Sequence, residues 1–272
     1  MAAQTNTTGA GHPPESWKAR ISGTRFATLE HVETTESTNA DLIARAGSAS
    51  DGTVRVTDHQ TAGRGRLGRT WDAPPGTNLL VSIFLRPDWL PSAHSSVTPS
   101  LAVAGVEALA EFGVPVTVKW PNDLMIEKGV VPGKVAGILA EYTTGPPPAV
   151  VVGLGVNLAW PVAADDPPPG ATSLHACGFA IDRWELLAAV LDTFERRLVD
   201  LATPEGLKRL QAAHIGYSAT IGRDVRVETA SGALEGAAVG IGTDGSLLVQ
   251  PDDRDSGLVA VAAGDVIHLR SV

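Results

Sequence analysis

Apolar positions follow two spacings along this chain, and the change between them divides it. From residue 29 to about 160 the apolar residues mostly alternate or run continuously: LEHVE at 29–33, the stretch 53–57, NLLVSIFL at 78–85, then 116–119, 123–127, 135–142 and 149–156. Each reads as a strand, because alternation places every second side chain on one face, while a short continuous run suits a strand buried on both. Helical spacing interrupts this twice. In ESTNADLIARAG, Thr38 and Asp41 stand at the spacing of a capping box, Ala40, Leu42, Ile43 and Ala46 make an apolar face, and Gly47 is a stop signal. Residues 95–112, rich in Ala, Val and Leu, predict a longer helix.

Beyond the loop AADDPPPG at 163–170, Asp182 with Glu185 opens the amphipathic stretch DRWELLAAVLDTFERRLVDL, and Pro204 opens another helix. From about Tyr217 the pattern becomes one of short strands: TIGRDVRVET, ALEGAAVGI, SLLVQP and GLVAVAAGDVIHL, broken by glycine and by the hairpin signal Asp244-Gly245. An α+β domain over 28–216 followed by a small β barrel of some five strands over 217–272 is therefore expected. Residues 1–27 are expected to be poorly ordered, the first fourteen being rich in Thr, Gly and Pro.

Composition narrows the chemistry. A formal net charge of -9 opposes general affinity for DNA or an anionic membrane, both of which want a basic surface. Cys177 is the single cysteine, which excludes an intrachain disulfide and a cysteine-based zinc site. The N-terminal residues lack a secretory pattern, and the longest apolar run, 149–160, is too short to span a bilayer, so a cytoplasmic location is expected.

Against this acidic background the stretch TAGRGRLGRTWD at 61–72 is a dense basic cluster. Its glycines spell G-x-G-x-x-G, but the strand before it ends early and the prolines of TWDAPPG cannot open a long helix, so the dinucleotide-binding reading fails. GVVPGKVAG at 129–137 resembles a Walker phosphate loop but is one residue short and has Val135 where a Ser or Thr is required. What survives is a glycine-arginine loop suited to fold over an anion: glycine allows close backbone approach, and the guanidinium fork fits phosphate or carboxylate. A solvated basic turn is the alternative, and Gln60 and Trp71 flanking the cluster favour a ligand.

Three further segments carry candidate chemistry. VKWPNDL at 118–124 presents Asn122 and Asp123 where Pro121 breaks a strand, either to a ligand or to their own turn. PGKVAGILAE places Lys134 at the start of an apolar strand with Gly137 inside it, and an interior strand glycine marks close approach of a ligand or another backbone. VVVGLGVNL ends in Gly153, Gly155 and Asn157, a bulge or a second close approach.

The order S-T-N at 37–39, G-R-G-R-x-G-R at 63–69, K-W-P-N-D at 119–123, G-K-x-A-G-I-L-x-E at 133–141 and G-x-G-x-N at 153–157 resembles the bacterial biotin protein ligases over roughly residues 33–158. The C-terminal module is similar to that family's SH3-like domain. The resemblance implies a mixed, largely antiparallel central sheet with helices, and a two-step reaction. Biotin and MgATP give biotinyl-5′-adenylate, which a lysine of a biotin carboxyl carrier domain then attacks. It also implies that Ser37, Thr38, Asn39, Gln60 and Gly137 line the biotin site and that Arg64, Gly65 and Arg66 close over the carboxylate and phosphate. Lys134 would lie near the carboxylate and α-phosphate, with Arg69, Trp71, Lys119, Asn122 and Asn157 at the ATP end. Asp123 is a candidate for assisting magnesium or for taking the attacking lysine's proton, with simple turn stabilisation as the alternative. IEKGVVPGK, before Lys134, is longer than the usual short turn.

A lipoate–protein ligase of the same fold is the alternative, opposed by the G-R-G-R-x-G-R and K-W-P-N-D motifs. Some thirty residues before S-T-N leave no room for the DNA-binding domain that many relatives carry, so no DNA role is expected. Monomer and homodimer both remain open.

Overall fold

The computed structural model describes residues 15–89, 91–127, 131–143, 148–162, 168–230, 232–253 and 257–269. A seven-stranded mixed sheet forms its larger part. The strands are β1 (Leu29–Thr35), β2 (Val54–Gln60), β3 (Leu79–Leu85), β4 (Thr117–Lys119), β5 (Asp123–Ile126), β6 (Gly133–Thr143) and β7 (Ala149–Val156). Their order is β1-β2-β3-β7-β6-β5-β4, with β1 and β2 parallel and every other pair antiparallel.

Side-chain alternation assigns the two faces of this sheet different tasks. Leu79, Val81, Ile83 and Leu85 of β3 and Val150, Val152, Leu154 and Val156 of β7 enter the main core. There they meet α1 (Glu15–Ile21), α3 (Val97–Glu111), α4 (Arg183–Leu198) and α5 (Pro204–Gly216). On the opposite face Phe84, Ala149 and Val151 pack with Leu42 of α2 (Thr38–Ala44) in a smaller cluster. Further along that face stand Ser82, Gly153, Gly155, Gly137 and Leu139, which bound a cavity.

Two expectations change. Residues 15–21 form α1, whose Trp17 and Ile21 are buried in the main core together with Phe26, so order begins earlier than the polar composition suggested; residues 1–14 lie outside the described set. The cap of α2 is Ser37, whose hydroxyl accepts from the Ala40 amide, and Asp41 instead accepts from Thr35 Oγ1. Thr38 is thereby the first helical residue, and its hydroxyl is available to the cavity. The loop expected at 163–170 falls mainly on residues outside the described set. Asp182 does cap α4, accepting from the amides of Trp184 and Glu185 at 2.8 and 3.1 Å.

The C-terminal module is a five-stranded antiparallel sheet of β8 (Asp224–Thr229), β9 (Gly232–Ile241), β10 (Leu247–Pro251), β11 (Val259–Val261) and β12 (Asp265–His268), ordered β11-β10-β9-β8-β12. Its own core of Val225, Val227, Ala238, Ile241, Leu247 and Val249 also takes in Trp120 from the first domain. Trp120 Nε1 donates to the Gly245 carbonyl at 2.9 Å, and its amide donates to Thr220 Oγ1 at 3.1 Å. The K-W-P-N-D segment is thus the peg that joins the two sheets. Among the described residues no helix is long and apolar enough to cross a membrane.

Candidate active site

A cavity of about 340 Å³ opens between the sheet, the loop that follows β2 and the β12 side of the C-terminal module. Its floor is backbone. Gly137 of β6 and Gly155 of β7 are direct cross-strand partners. The Trp71 indole lies over them: a Cβ at Gly155 would stand 2.6 Å from Trp71 Cε2, and one at Gly137 would stand 2.8 Å from Cζ3. Gly153 does the same for Asn39, where a Cβ would fall 2.6 Å from Oδ1. Any side chain at these positions would displace a ring or an amide that defines the cavity.

A polar cluster occupies one end. Ser37, Thr38 and Asn39 are all buried. The Thr38 amide and hydroxyl donate to Gln60 Oε1 at 2.9 and 3.1 Å. Ser82 Oγ lies 2.6 Å from Thr38 Oγ1 and 2.5 Å from Asn39 Oδ1, and Asn39 Nδ2 donates to the Leu139 carbonyl and to Glu141 Oε2. Leu80, Ile138, Leu139 and Leu154 add apolar wall.

Cations gather at the other end. Lys134 Nζ is 2.6 Å from Asp123 Oδ1 and 5.3 Å from the centre of the Trp71 ring. The lengthened segment before it does not keep Lys134 out of the cavity. Lys119 also lines it and has no ion-pair partner among the described residues. The loop between β2 and β3 folds back on itself through Trp71 N to Gly63 O at 2.9 Å and Gly65 N to Arg69 O at 2.7 Å. Residues 66–68 make a single 3-10 turn, with Leu67 left-handed at φ 55, rather than the helix a dinucleotide site requires.

From this loop Arg66 donates to Asn122 Oδ1 and to the Gly264 carbonyl, both at 3.3 Å, while Arg69 pairs with Asp265. Burial draws the Arg66 guanidinium below its usual pKa; the negative charge of Asp123 opposes that shift and the positive charge of Arg69 adds to it. Asn122 Nδ2 donates to the Ile138 carbonyl at 2.8 Å, which fixes the amide beside Arg66.

The sequence-based site residues therefore converge: Ser37, Thr38, Asn39, Gln60, Arg64, Gly65, Arg66, Arg69, Trp71, Lys119, Asn122, Asp123, Lys134 and Gly137 all line this one cavity. Asn157 is set apart from it. Its side chain is buried, accepts from Asn78 Nδ2 at 3.2 Å and donates to the Thr172 carbonyl at 2.9 Å, so it ties β7 to the segment behind Lys134. Ser82, Glu141 and the C-terminal acids Glu228 and Asp265 were missed. Ser82 stands opposite Gly153 in the sheet register, and Glu141 ends a quoted motif, so both carried a signal. Asp265 carried none, since nothing local ties it to the arginine loop.

Comparison with known proteins shows the family. The model of the biotin/lipoate A/B protein ligase family matches residues 31–157, and that of the biotin protein ligase C-terminal domain matches residues 220–269. The biotin–[acetyl-CoA-carboxylase] ligase of Mycobacterium tuberculosis is 38% identical, with 91% of each chain covered. That of Paracoccus denitrificans is 33% identical over 79% of this chain and 91% of its own. The biotin protein ligase of Aquifex aeolicus, solved in complex with biotin and ATP, superposes with a TM-score of 0.76 at 27% identity, covering 90% of this chain and 100% of that one. The chain belongs to the biotin protein ligase family.

Proposed function

We propose that this chain activates biotin with MgATP as biotinyl-5′-adenylate and transfers the biotinyl group to a lysine of a biotin carboxyl carrier domain. The observation that carries the reading is the polarity of the cavity: a buried hydroxyl-and-amide cluster at one end, apolar wall in the middle, and lysines and arginines at the other. Biotin has the same sequence of parts: a ureido ring, an aliphatic chain and a carboxylate. The dithiolane of lipoate has neither N–H nor C=O, so it would leave Thr38, Asn39, Gln60 and Ser82 without a ligand partner. That favours biotin over the lipoate alternative.

In the first step a carboxylate oxygen attacks the α-phosphorus of ATP and pyrophosphate leaves. The obstacle is repulsion between two anions. Lys134, Lys119 and the loop arginines line the cavity where that charge gathers, and one positioned donor in such a transition state is worth roughly 3–4 kcal/mol. Trp71, held over Gly137 and Gly155, offers an aromatic surface to the adenine or to the adenylate. In the second step the carrier's neutral ε-amine attacks the acyl carbon, AMP leaves and the amine loses its proton. The mixed anhydride hydrolyses in water, so a loop closing over it protects it between the steps.

Magnesium enters as the MgATP substrate. Among the described residues no group of three or more His, Cys, Asp or Glu could hold a metal ion. Asp123, paired with Lys134, acts on our reading as the lysine's positioning partner rather than as a metal ligand. The acidic net charge supports no role in DNA binding. Exchange of labelled pyrophosphate into ATP tests the first step: exchange should require biotin and should not proceed with lipoate. Exchange supported by lipoate alone would overturn the substrate assignment.

A further inference from the structure

Glu141 stands near the end of β6, on the sheet face that carries the cavity, yet it opens to the outer cleft beneath the arginine loop rather than to the cavity itself. One of its oxygens touches both sides of the site. Oε2 accepts from Asn39 Nδ2 at 2.7 Å and from Arg64 Nη2 at 3.2 Å. The two donors differ in freedom. Asn39 is 4% exposed and held from every direction, by the Leu139 carbonyl, by Ser82 Oγ and by the bare backbone of Gly153. Arg64 is half-exposed and belongs to a loop whose own order consists of a few turn hydrogen bonds and one isolated bridge to Thr70. A fixed amide and a half-exposed guanidinium therefore share a single carboxylate oxygen.

We propose that Glu141 is a positioning residue that tethers the arginine loop to the biotin head-group pocket, so that filling the pocket steadies the loop over the intermediate. The inference rests on the biotin ligase reading above. When a ligand N–H bonds to Asn39 Oδ1 in place of Ser82, the amide is polarised and its Nδ2–H donates more strongly to Glu141. The carboxylate is then better fixed as a partner for Arg64. Coupling of this kind is reciprocal: whatever the occupied pocket contributes to loop closure, the closed loop returns as tighter holding of the ligand. A partly exposed ion pair contributes at most about 1 kcal/mol, so the coupling should be about fivefold.

The test uses the full chain and two readouts: the affinity for biotin without ATP, by calorimetry, and the rate at which preformed biotinyl-adenylate is lost, by filtration. Glu141→Gln keeps an acceptor for Asn39 but removes the charge from Arg64. It should weaken biotin by up to about fivefold, as reciprocal coupling requires, and speed loss of the intermediate about fivefold. Arg64→Ala should show the same fivefold loss, and the double variant should be no worse than either single one. Glu141→Ala, which strips Asn39 of its acceptor as well, should weaken biotin further. Retention by Glu141→Gln equal to that of the parent, or effects that multiply in the double variant, overturns the tether while leaving the ligase reading intact. A parent protein that binds no biotin overturns the ligase reading and the inference with it.

Discussion

The floor and the roof of this cavity are built on opposite principles. The floor is sheet backbone, with Gly137 and Gly155 paired across strands and apolar side chains of β3 and β7 anchoring it from behind in the main core. The roof is a loop of alternating glycine and arginine whose order comes from distant polar partners: Asn122, Glu141, and Asp265 of the second sheet. A floor of this kind fixes where atoms sit. A roof held by partly exposed charges can open and close, because each of its ties is weak. Adenylation needs the first property, and protection of the adenylate needs the second. That division predicts that changes in the floor damage formation of the intermediate, whereas changes in the roof damage its retention.

The largest effect should come from Lys134, whose ammonium stands at the floor beside Trp71 and Asp123. Lys134→Ala should slow adenylation by about 100- to 1000-fold with the fold preserved, measured by single-turnover AMP labelling. An adenylation rate within tenfold of the parent would remove Lys134 from the chemistry.

Next is the helical layer that supports the floor. His214 of α5 is 1% exposed, and burial lowers its pKa from 6.5 to about 4. The unfolded chain therefore binds the proton first as the pH falls. The stability that this contributes is complete above about pH 6.5 and is lost toward pH 4, by about 3 kcal/mol. Urea unfolding at pH 7 and pH 4 should show His214→Leu losing about that much less than the parent. Equal losses would mean that His214 is not buried neutral.

Gly155→Ala comes third. The added methyl would press on Trp71 at 2.6 Å, and overpacking of about 1–3 kcal/mol should weaken MgATP or adenylate binding some 5- to 150-fold. Gly216→Ala, where a Cβ meets nothing within 4 Å, is the matched control and should leave binding unchanged. An unaffected Gly155→Ala would show that the indole does not rest on the glycine floor during turnover.

Arg66→Ala should change retention more than formation, releasing the adenylate about tenfold faster through loss of one charged hydrogen-bonding group. An equal loss in both steps would erase the distinction between roof and floor. The smallest effect belongs to Leu67, 72% exposed and left-handed at φ 55. Leu67→Gly relieves about 1 kcal/mol of backbone strain but frees the unfolded chain by about as much, so Tm should scarcely move. A clear drop in Tm would reveal a packing role for that side chain.

The floor was legible in the sequence, and the roof only in part. Strand alternation and interior glycines are local signals, so Gly137, Gly153 and Gly155 announced a sheet with something lying against it. The arginines announced an anion, but not what holds them. Arg66 reaches Gly264, 198 positions away, and no local pattern reports a contact of that range. The same limit hid Trp120, whose motif pointed to a ligand while its indole enters the core of the second sheet. Asn157 shows the opposite case: an amide at the end of a glycine-rich strand reads as a ligand contact, and the hydrogen bonds it makes here tie β7 to neighbouring segments. In α1 the buried Trp17 and Ile21 stand four apart, and one such pair in seven residues is too short a pattern for periodicity to stand out.

On the reading proposed above, this cavity loads biotin with ATP and delivers it to a carrier lysine. Intact-mass analysis of a biotin carboxyl carrier domain, incubated with this protein, MgATP and either biotin or lipoate, tests it most directly. A single biotinyl adduct is expected with biotin, none with lipoate, and none when the acceptor lysine is replaced. An adduct only with lipoate, or no adduct from a folded protein with either acid, would contradict it.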